Sequence, residues 1–501
     1  MPWGTACPSK PCRFHSINLA NEQPAQEQPA GCNIAPKGGF NEAPARLAFF
    51  AVNDYSYAMN RRHRKPKLPN YPVRVSIERL SHDGRGVTHV DGKTVFVDGA
   101  LPGEDISFLY SGRARKHDEG RLCELFRASP DRVEPKCAHF DICGGCSLQH
   151  QHSGEQILAK QQTLLDNLRR TGKLEPETLL DPLTGPVWGY RNKARLGVKD
   201  VKKKGRVLVG FREKRKSYIA DIQRCEVLHP SIGERFHELA DLISGMQARA
   251  RIAQIEVAVG DDTTVLVFRN LDPLSRDDRQ RLTEYAQHTG LHIYLQPKGP
   301  DSIELLWSEA STLYYCLPDQ NIEVQFLPTD FTQVNPVINK IMIQQALELL
   351  DLQESDTVLD LFCGLGNFTL PIARKVAAVV GVEGEAGLVQ RARENSQRNG
   401  IDNVEYHVVD LSQQPCEQPW TQHSYDKILI DPPRSGAQEL VPNLAELGAD
   451  RIVYVSCHPA SLARDAGMLV NDRGYRLIAA GVMDMFPHTT RVESMALFER
   501  V

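Results

Sequence analysis

The spacing of apolar and polar residues divides the chain into differently patterned regions. From residue 71 to about 128, short β-rich runs alternate with Gly and Asp turn signals, which is typical of a small β-barrel. Residues 154–171 carry apolar side chains at helical intervals, and the chain from there to about 315 mixes strand-like and helix-like runs, which predicts one α+β domain. From about 357 onward, strands alternate with helices, and this favours a doubly wound parallel sheet.

Residues 1–58 show no sustained periodicity, and their Pro, Gly, Gln and Asn content predicts disorder. Met59 directly precedes a basic run, so a second hypothesis is that the natural protein begins there. We expect four parts: a disordered basic extension (1–70), a β-barrel (71–130), a central α+β domain (131–318) and an α/β domain (319–501).

Composition narrows the class of protein. A chain of 501 residues is too long for one core, and no apolar run approaches the roughly 18 to 20 residues that span a bilayer. The N-terminus lacks the apolar core of a signal peptide, so we expect a soluble, cytoplasmic protein with no membrane contact. The net charge is −4, yet basic runs such as 113–116, 199–206 and 212–216 concentrate in the first half, which favours a polyanionic partner.

A Gly-rich turn follows the first strand of the α/β region. In VLDLFCGLGNF the strand ends at Asp360, and Gly364 and Gly366 allow the backbone to approach a ligand closely. The spacing is neither that of a dinucleotide site nor that of a P-loop. Three later strands also end in acidic residues: Glu383, which could accept two ribose hydroxyls, Asp410 and Asp431. Together these features resemble a Rossmann-type S-adenosyl-L-methionine-dependent methyltransferase.

Four cysteines form a candidate metal site. Cys137, Cys143 and Cys146 have C-x5-C-x2-C spacing, and Cys225 is a plausible distant fourth ligand. Four thiolates suit zinc or an iron-sulfur cluster equally, and the spacing differs from the C-x3-C-x2-C of radical enzymes.

Cys457 is the candidate nucleophile. It follows a strand at the ligand edge, and Pro459 opens the next helix, whose N-terminus is expected to lower the pKa of the thiol. Cys363 is the rival, but its place inside the cofactor turn favours packing. Buried, inert thiols are expected for Cys123, Cys316 and Cys416.

A thiol beside a methyl donor suits methylation at position 5 of uracil. Addition of the thiolate to C6 makes C5 nucleophilic, and a base must later remove the C5 proton so that the thiol can leave. Glu493, in FPHTTRVESMALF, is the candidate base.

Longer motifs extend this interpretation. FTQVN, DLFCGLGNFTLP, GVEG, IDPPRSG, VSCHPASLARD and DMFPHTTRVESMALF resemble the RNA (uracil-5-)-methyltransferases over residues 71 to 501. A leading TRAM barrel with the C-x5-C-x2-C cluster resembles the type that acts on 23S ribosomal RNA. The tRNA-directed relatives lack both features, and another rRNA-directed branch has the cluster without the barrel.

The resemblance implies specific residue roles. Cys457 would be the nucleophile and Glu493 the base, and Cys137, Cys143, Cys146 and Cys225 would hold a 4Fe-4S cluster that organises the fold and the RNA contacts. Contacts to the cofactor would come from Gln333, Phe362, Asn367, Glu383, Asp410 and Asp431. A flipped base would stack on aromatic residues such as Phe331 and Phe486. We expect a monomer with no obligatory protein partner.

Three rival functions stay open. Cytosine-C5 enzymes pair two cysteines, one in a Pro-Cys motif, whereas Asp431 is followed by Pro432, Pro433 and Arg434. Amino-group methyltransferases carry an aromatic residue where Arg434 stands, and Cys457 would be superfluous in them. An RNA-binding assembly factor without activity would not need an intact Cys457 and Glu493. The family itself also includes enzymes for other rRNA uridines and for tRNA. The motif DPPRSG departs slightly from the Asp-Pro-Ala-Arg variant expected for the 23S type.

Overall fold

The structure is a computed structural model that describes residues 68–308, 312–413 and 418–501. The disorder expected for residues 1–58, the hypothesis of a start at Met59 and the inert thiol expected at Cys416 lie outside the described residues. The part of the chain from Lys67 to Val501 forms one compact unit.

The strands follow one another along the described chain in this order: β1 (Val73–Ser76), β2 (Arg79–Leu80), β3 (Gly86–Val90), β4 (Lys93–Asp98), β5 (Asp105–Arg113), β6 (His117–Arg127), β7 (Thr178–Leu179), β8 (Lys193–Val201), β9 (Arg206–Gly210), β10 (Ile252–Val259), β11 (Thr264–Asn270), β12 (His292–Leu295), β13 (Glu304–Trp307), β14 (Leu313–Leu317), β15 (Ile322–Phe326), β16 (Thr357–Leu361), β17 (Ala378–Glu383), β18 (Val404–Val408), β19 (Lys427–Ile430), β20 (Arg451–Ser456), β21 (Tyr475–Met483) and β22 (Glu493–Arg500).

The α-helices of the described residues are α1 (Ser153–Asn167), α2 (Pro230–Gly233), α3 (Phe236–Ser244), α4 (Arg276–Thr289), α5 (Pro336–Leu350), α6 (Thr369–Ala373), α7 (Ala386–Arg398), α8 (Val441–Leu444) and α9 (Pro459–Arg473).

The first sheet, in the order β1-β5-β6-β4-β3-β2, closes on itself. Ile77 donates a backbone hydrogen bond to Glu104 beside β5, and the next residue, Glu78, donates to Val87 in β3. The β1–β2 segment therefore pairs with both ends of the sheet, which makes a small barrel. Alternate side chains such as Val95, Val97, Ile106 and Phe108 point inward and are fully buried.

The second sheet has the order β13-β12-β11-β10-β8-β9 and is antiparallel except for the β11–β12 pair. Helices α3 and α4 supply apolar side chains to its core, among them Phe236, Leu239 and Leu282. The hairpin of β14 and β15 follows and leads into the loop before α5.

The third sheet has the order β18-β17-β16-β19-β20-β22-β21-β7. The strands from β18 to β20 are parallel, as the sequence predicts. The sheet is not parallel throughout, because β22 runs antiparallel to both β20 and β21. Since a hairpin-like return joins β21 to β22, these last strands need no crossover helix.

Two elements that precede the second sheet in the chain pack against the third sheet. Helix α1 buries Ile157 and Leu164, and Leu168, the first residue after the helix, is buried with them in the core formed by α9 and the sheet strands; β7 pairs with β21. The domain boundary at 318/319 stays a prediction, since α1 and β7, which precede it, pack on the α/β sheet.

None of the helices in the described residues combines the length and the hydrophobicity needed to cross a membrane.

Candidate active site

The predicted site residues of the α/β region lie at one edge of the third sheet, where its parallel strands end. Phe362, Glu383, Asp431 and Cys457 stand at or directly after the ends of β16, β17, β19 and β20. Asp410 follows β18 by two residues. Carboxyl ends of adjacent parallel strands meet at the same edge, so the chain brings these side chains together as the strand pattern predicts.

The turn after β16 has the backbone of a ligand-binding loop. Phe362, Gly364 and Gly366 have φ of 64°, 56° and 91°, a left-handed conformation that glycine adopts without strain. Beneath the turn, Asp360 is buried; its Oδ2 accepts a hydrogen bond from Thr369 at 2.5 Å, while its Oδ1 has no partner among the described residues. A buried unpaired acceptor below an open turn fits a site built for a ligand with donor groups.

Glu383 braces the same turn. Its Oε2 accepts the Gly364 N–H at 3.2 Å and its Oε1 accepts the Glu385 N–H at 3.0 Å. Asp410 is capped by Ser412 and Gln413, whose hydrogen bonds lower its pKa and keep it ionised. Both carboxylates retain acceptor capacity toward the space above the turn.

Asn367 is tied to helix α5. It exchanges two side-chain hydrogen bonds with Asn339, at 2.9 and 3.0 Å, and its Oδ1 also accepts from the Tyr315 hydroxyl at 2.8 Å. Gln333 is half-buried in the loop before α5. That loop ends at Asn335, whose side chain caps the helix by accepting from the Ile338 N–H at 3.3 Å.

Cys457 and Glu493 face each other across adjacent strands. The register pairs Ser456 with Ser494, and Ser494 Oγ donates to the Ser456 carbonyl at 3.3 Å. Cys457, the residue after Ser456, is therefore placed opposite Glu493, the residue before Ser494. The two predicted reacting residues meet although neither the strand pairing nor its antiparallel sense follows from the motifs.

The pKa of Cys457 is raised to about 11, chiefly by burial and further by the negative charges of Glu493 and Asp431. The expectation that the helix N-terminus lowers this pKa is wrong for the free protein. His458 is the N-cap of α9, and its own side chain accepts from the Ser461 N–H, so the thiol lies before the cap and outside the first turn. Arg434 opposes the shift with its positive charge.

Glu493 is also held away from its ordinary titration range. Burial and the neighbouring Asp431 raise its pKa to about 8, while the cations of Arg491, Lys160 and Arg434 act in the opposite direction. Burial raises the pKa of Asp431 to about 7. Carboxyl groups whose pKa values are raised toward neutral pH are typical of reaction centres.

Cys363, the rival nucleophile, is buried in the protein interior and is not accessible to a substrate. It is 4% exposed and lies in a small apolar cluster with Val389, Ala392 and Tyr406. Burial raises its pKa strongly. A side chain in this position serves the packing of the cofactor turn.

The loop IDPPRSG is anchored to helix α9 through Asp465. This fully buried carboxylate accepts from the Ala437 N–H at 2.8 Å and from the Tyr454 hydroxyl at 2.7 Å, and it pairs with Arg464 at 2.7 Å. The loop that carries Asp431 and Arg434 is thereby fixed to the helix that begins after Cys457.

The four cysteines of the predicted metal site line one cavity of about 760 Å³, together with Phe331, Thr332, Arg491 and other residues. All four are free thiols, and backbone N–H groups bond the sulfurs of Cys137, Cys143 and Cys225. Burial, with a smaller contribution from neighbouring thiols, raises the pKa of Cys143 to about 11. This donor set suits a cationic metal centre, which would relieve the repulsion among thiolates.

Within the described residues, no group of three or more His, Cys, Asp or Glu side chains is close enough to hold a single metal ion. The predicted site of Cys137, Cys143, Cys146 and Cys225 is thus a shared cavity rather than a compact mononuclear site.

Several residues beside the site were missed by motif reasoning. Lys160, on the apolar face of α1, pairs with Asp484 at 2.6 Å, and both are about 2% exposed. The signal was present, because a lone lysine stands in register with Ile157 and Leu164 on a stripe that is otherwise apolar. Arg491 lies within the quoted motif DMFPHTTRVES but was given no role.

The strand order and the edge of acidic residues define an S-adenosylmethionine-dependent methyltransferase with a Rossmann-like fold. The structure resembles that of the Pyrococcus abyssi tRNA (uracil-54, C5)-methyltransferase in complex with S-adenosyl-L-homocysteine, with a TM-score of 0.66 and 25% identity over 85% of this chain and all of that one.

The profile of the tRNA (uracil-5-)-methyltransferase family matches residues 190–501, and that of the TRAM domain matches residues 70–106. The chain is 54% identical over 440 residues to the 23S rRNA (uracil(1939)-C(5))-methyltransferase RlmD of Alcanivorax borkumensis, covering 87% of this chain and 99% of that protein. The same enzyme of Methylococcus capsulatus is 52% identical and is covered completely. The chain therefore belongs to the RNA uracil-5 methyltransferase family and is an enzyme of the methyltransferase class.

Proposed function

We propose that the protein methylates C5 of a specific uridine in 23S ribosomal RNA with S-adenosylmethionine as the methyl donor. The observation that carries the proposal is the facing pair of Cys457 and Glu493 at the cofactor edge of the sheet. The choice of 23S RNA is supported by the relatives of this name, which match along nearly their whole length, and by the TRAM barrel.

In the proposed reaction, the Cys457 thiolate adds to C6 of uracil, and the electron pair of the C5–C6 double bond moves toward O4. C5 then attacks the methyl carbon of the sulfonium, the bond from that carbon to sulfur breaks, and S-adenosylhomocysteine is the leaving group. Glu493 takes the C5 proton, the C5–C6 double bond re-forms, and the bond from C6 to Cys457 Sγ breaks. The pKa of about 11 at Cys457 means that the thiol is protonated in the free protein and must release its proton to solvent before it adds to C6, and the positive charge of Arg434 favours the thiolate.

The cofactor would lie over the turn after β16. We assign the contacts to Gln333, Phe362, Asn367, Glu383, Asp410 and Asp431, with Glu383 accepting the ribose hydroxyls. Bound there, S-adenosylmethionine supplies an electrophilic methyl group. The left-handed turn keeps side chains out of its path, and the unpaired Oδ1 of Asp360 offers a further acceptor.

A 4Fe-4S cluster is proposed for the cysteine cavity. Cys137, Cys143, Cys146 and Cys225 would hold it, and because methyl transfer is redox-neutral, it would tie together the loops that reach the substrate. Iron and sulfide analysis of anaerobically purified protein tests this, with Cys225→Ser expected to lose both and Cys316→Ser, outside the cavity lining, to retain them.

The RNA would reach the site across the barrel and the second sheet. Phe331 is 70% exposed beside the cysteine cavity, and Phe486 lies 5.2 Å from the Arg491 guanidinium. Both are proposed to stack on bases displaced from the RNA when the target uridine is flipped out.

The decisive experiment uses 23S RNA fragments that contain 5-fluorouridine. Fluorine cannot leave as a cation, so the reaction stops at a covalent complex that resists denaturant. We expect this complex with the wild type and S-adenosylmethionine, and none with Cys457→Ala. Cys363→Ala is the matched control and should still form it.

Mapping of 5-methyluridine in cells with and without the gene tests the substrate. Loss of one mark from 23S RNA supports the proposal, whereas an unchanged 23S map with a mark lost from tRNA would assign the protein to the tRNA branch.

A further inference from the structure

The loop between β21 and β22 leads directly into Glu493, the proposed base. We call its residues 484–491 the base segment. Its centre, His488, is 3% exposed, has φ of 65° and stacks on Trp188 with ring centroids 3.9 Å apart. A non-glycine residue in this conformation is strained and persists only where its surroundings hold it.

Side chains of helix α1 fix the base segment from one side. Lys160 Nζ donates to Asp484 Oδ1 at 2.6 Å and to the Phe486 carbonyl at 3.0 Å. One turn earlier, Gln156 Oε1 accepts the His488 N–H at 2.8 Å. Two adjacent side chains of one helix thus fix both the start and the centre of the base segment.

The loop after Cys146, together with Tyr190, fixes the base segment from the other side. The Ser147 and Leu148 N–H groups both donate to the His488 carbonyl, at 2.9 and 3.0 Å, and the Tyr190 hydroxyl donates to the Pro487 carbonyl at 3.1 Å. Gln156 joins the two sides, because its amide also donates to the Leu148 carbonyl at 2.9 Å.

A buried lysine is a costly way to anchor a loop, since apolar residues of the same volume often stabilise a fold as well or better. Its charge has a second effect here. The charged or titratable groups that act on the Glu493 carboxyl from the elements around it are Asp431 and Arg434 of the loop after β19, Arg491 of the base segment, Cys457 after β20 and Lys160 of α1. Among these groups, Lys160 is the one that lies on α1, and its positive charge favours the carboxylate form of Glu493.

Building on the proposed function, we propose that Lys160 is a positioning residue for proton removal from C5: it holds the base segment, and with it the Glu493 carboxyl that follows, in place. In that step the C5–H bond breaks, the proton passes to a Glu493 oxygen, the electron pair forms the C5–C6 double bond, and the thiolate of Cys457 leaves C6. The steps before it, thiol addition and methyl transfer, do not use the base.

The test separates these steps. Lys160→Met alone would strand the charge of buried Asp484, so the principal variant is Lys160→Met with Asp484→Asn, which removes both charges. Two rates are measured: covalent complex formation on 5-fluorouridine RNA, which needs no base, and release of methylated product from natural RNA.

We expect complex formation to stay within about threefold of wild type, and product release to fall by at least about tenfold, with a methylated protein–RNA complex accumulating on natural RNA. In the double variant, the pH at which product release is half-maximal should move upward. The single variant Lys160→Arg, which keeps the positive charge, should retain most of the wild-type rate of product release. Arg476→Met, which breaks the exposed pair with Glu177 at the edge of the same sheet, is the control and should leave the ratio of the two rates unchanged.

A parallel fall in both rates would mean that Lys160 only supports folding, and wild-type product release by the double variant would mean that it has no role; either result overturns the proposal. Absence of the fluorouridine complex in the wild type would instead overturn the proposed function itself.

Discussion

The ionisation of Glu493 should be visible in the stability of the protein, before any substrate is added. In the folded state its pKa is raised from 4.5 to about 8. A raised carboxyl pKa means that stability is fully present below pH 4.5 and is lost as pH rises toward 8, since the fold then binds a proton that the unfolded chain has released. Glu493→Gln removes this penalty.

The size of the effect follows from the two pKa values. Each tenfold change in proton affinity is worth about 1.4 kcal/mol, so the penalty is roughly 5 kcal/mol at pH 8.5 and roughly 1.5 kcal/mol at pH 5.5. An unfolding entropy of about 2.1 cal/mol/K per residue over Lys67–Val501 makes 1 kcal/mol correspond to about 1 °C. Glu493→Gln should therefore raise the thermal midpoint by about 5 °C at pH 8.5 and by about 1 to 2 °C at pH 5.5.

Calorimetry of the wild type and Glu493→Gln at the two pH values measures the difference. Glu499→Gln is the matched control: this residue lies on the same strand and pairs with Arg451 at 2.6 Å, and its replacement should bring no gain that grows with pH. An equal gain at both pH values, or a loss at pH 8.5, would refute the assignment of a carboxyl with a raised pKa at this position.

Three further predictions concern the site. The rate at limiting RNA should rise with pH between about 6 and 8, because Glu493 must lose its proton to act as a base, and a rate that falls over this range would contradict that role. Gly366→Ala should weaken S-adenosylmethionine binding about tenfold in titration calorimetry, since φ is 91° and the new Cβ would lie 3.1 Å from Leu370; Gly400→Ala, also at positive φ but with open space around it, should bind normally. Asp465→Asn should cost about 1 to 3 kcal/mol of stability and slow fluorouridine complex formation, because the IDPPRSG loop loses its anchor; unchanged unfolding would show that the anchor is dispensable.

The sequence predicts the fold and the site correctly where a regular strand or helix pattern and the chemically important residues lie in the same short segment. The alternation of strands and helices after residue 357 predicts the parallel strands β16 to β20, and strand ends with acidic residues predict the cofactor edge. The barrel was predicted from strand spacing, and the TRAM match at residues 70–106 confirms its type. The roles of the individual site residues and the domain boundaries stay predictions.

Other features depend on contacts between distant parts of the chain, which no local pattern encodes. The antiparallel insertion of β22 between β20 and β21 places Glu493 opposite Cys457, and nothing in either motif specifies that pairing. Pro459 alone predicts a helix N-terminus that lowers the pKa of Cys457, but burial and two nearby carboxyl groups raise this pKa instead. The apolar stripe of α1 singles out Lys160 but does not identify its partner, because Asp484 is 324 residues away.

The docking of α1 and β7 on the last sheet has a consequence for how the polypeptide is made. These segments leave the ribosome well before α9 and β21, against which they pack, have been synthesised. The apolar stripe of α1 must therefore stay exposed or transiently covered until those later segments are available. Such long loop closures are slow, so the nascent chain should depend on chaperones, and early termination should leave a product prone to aggregate.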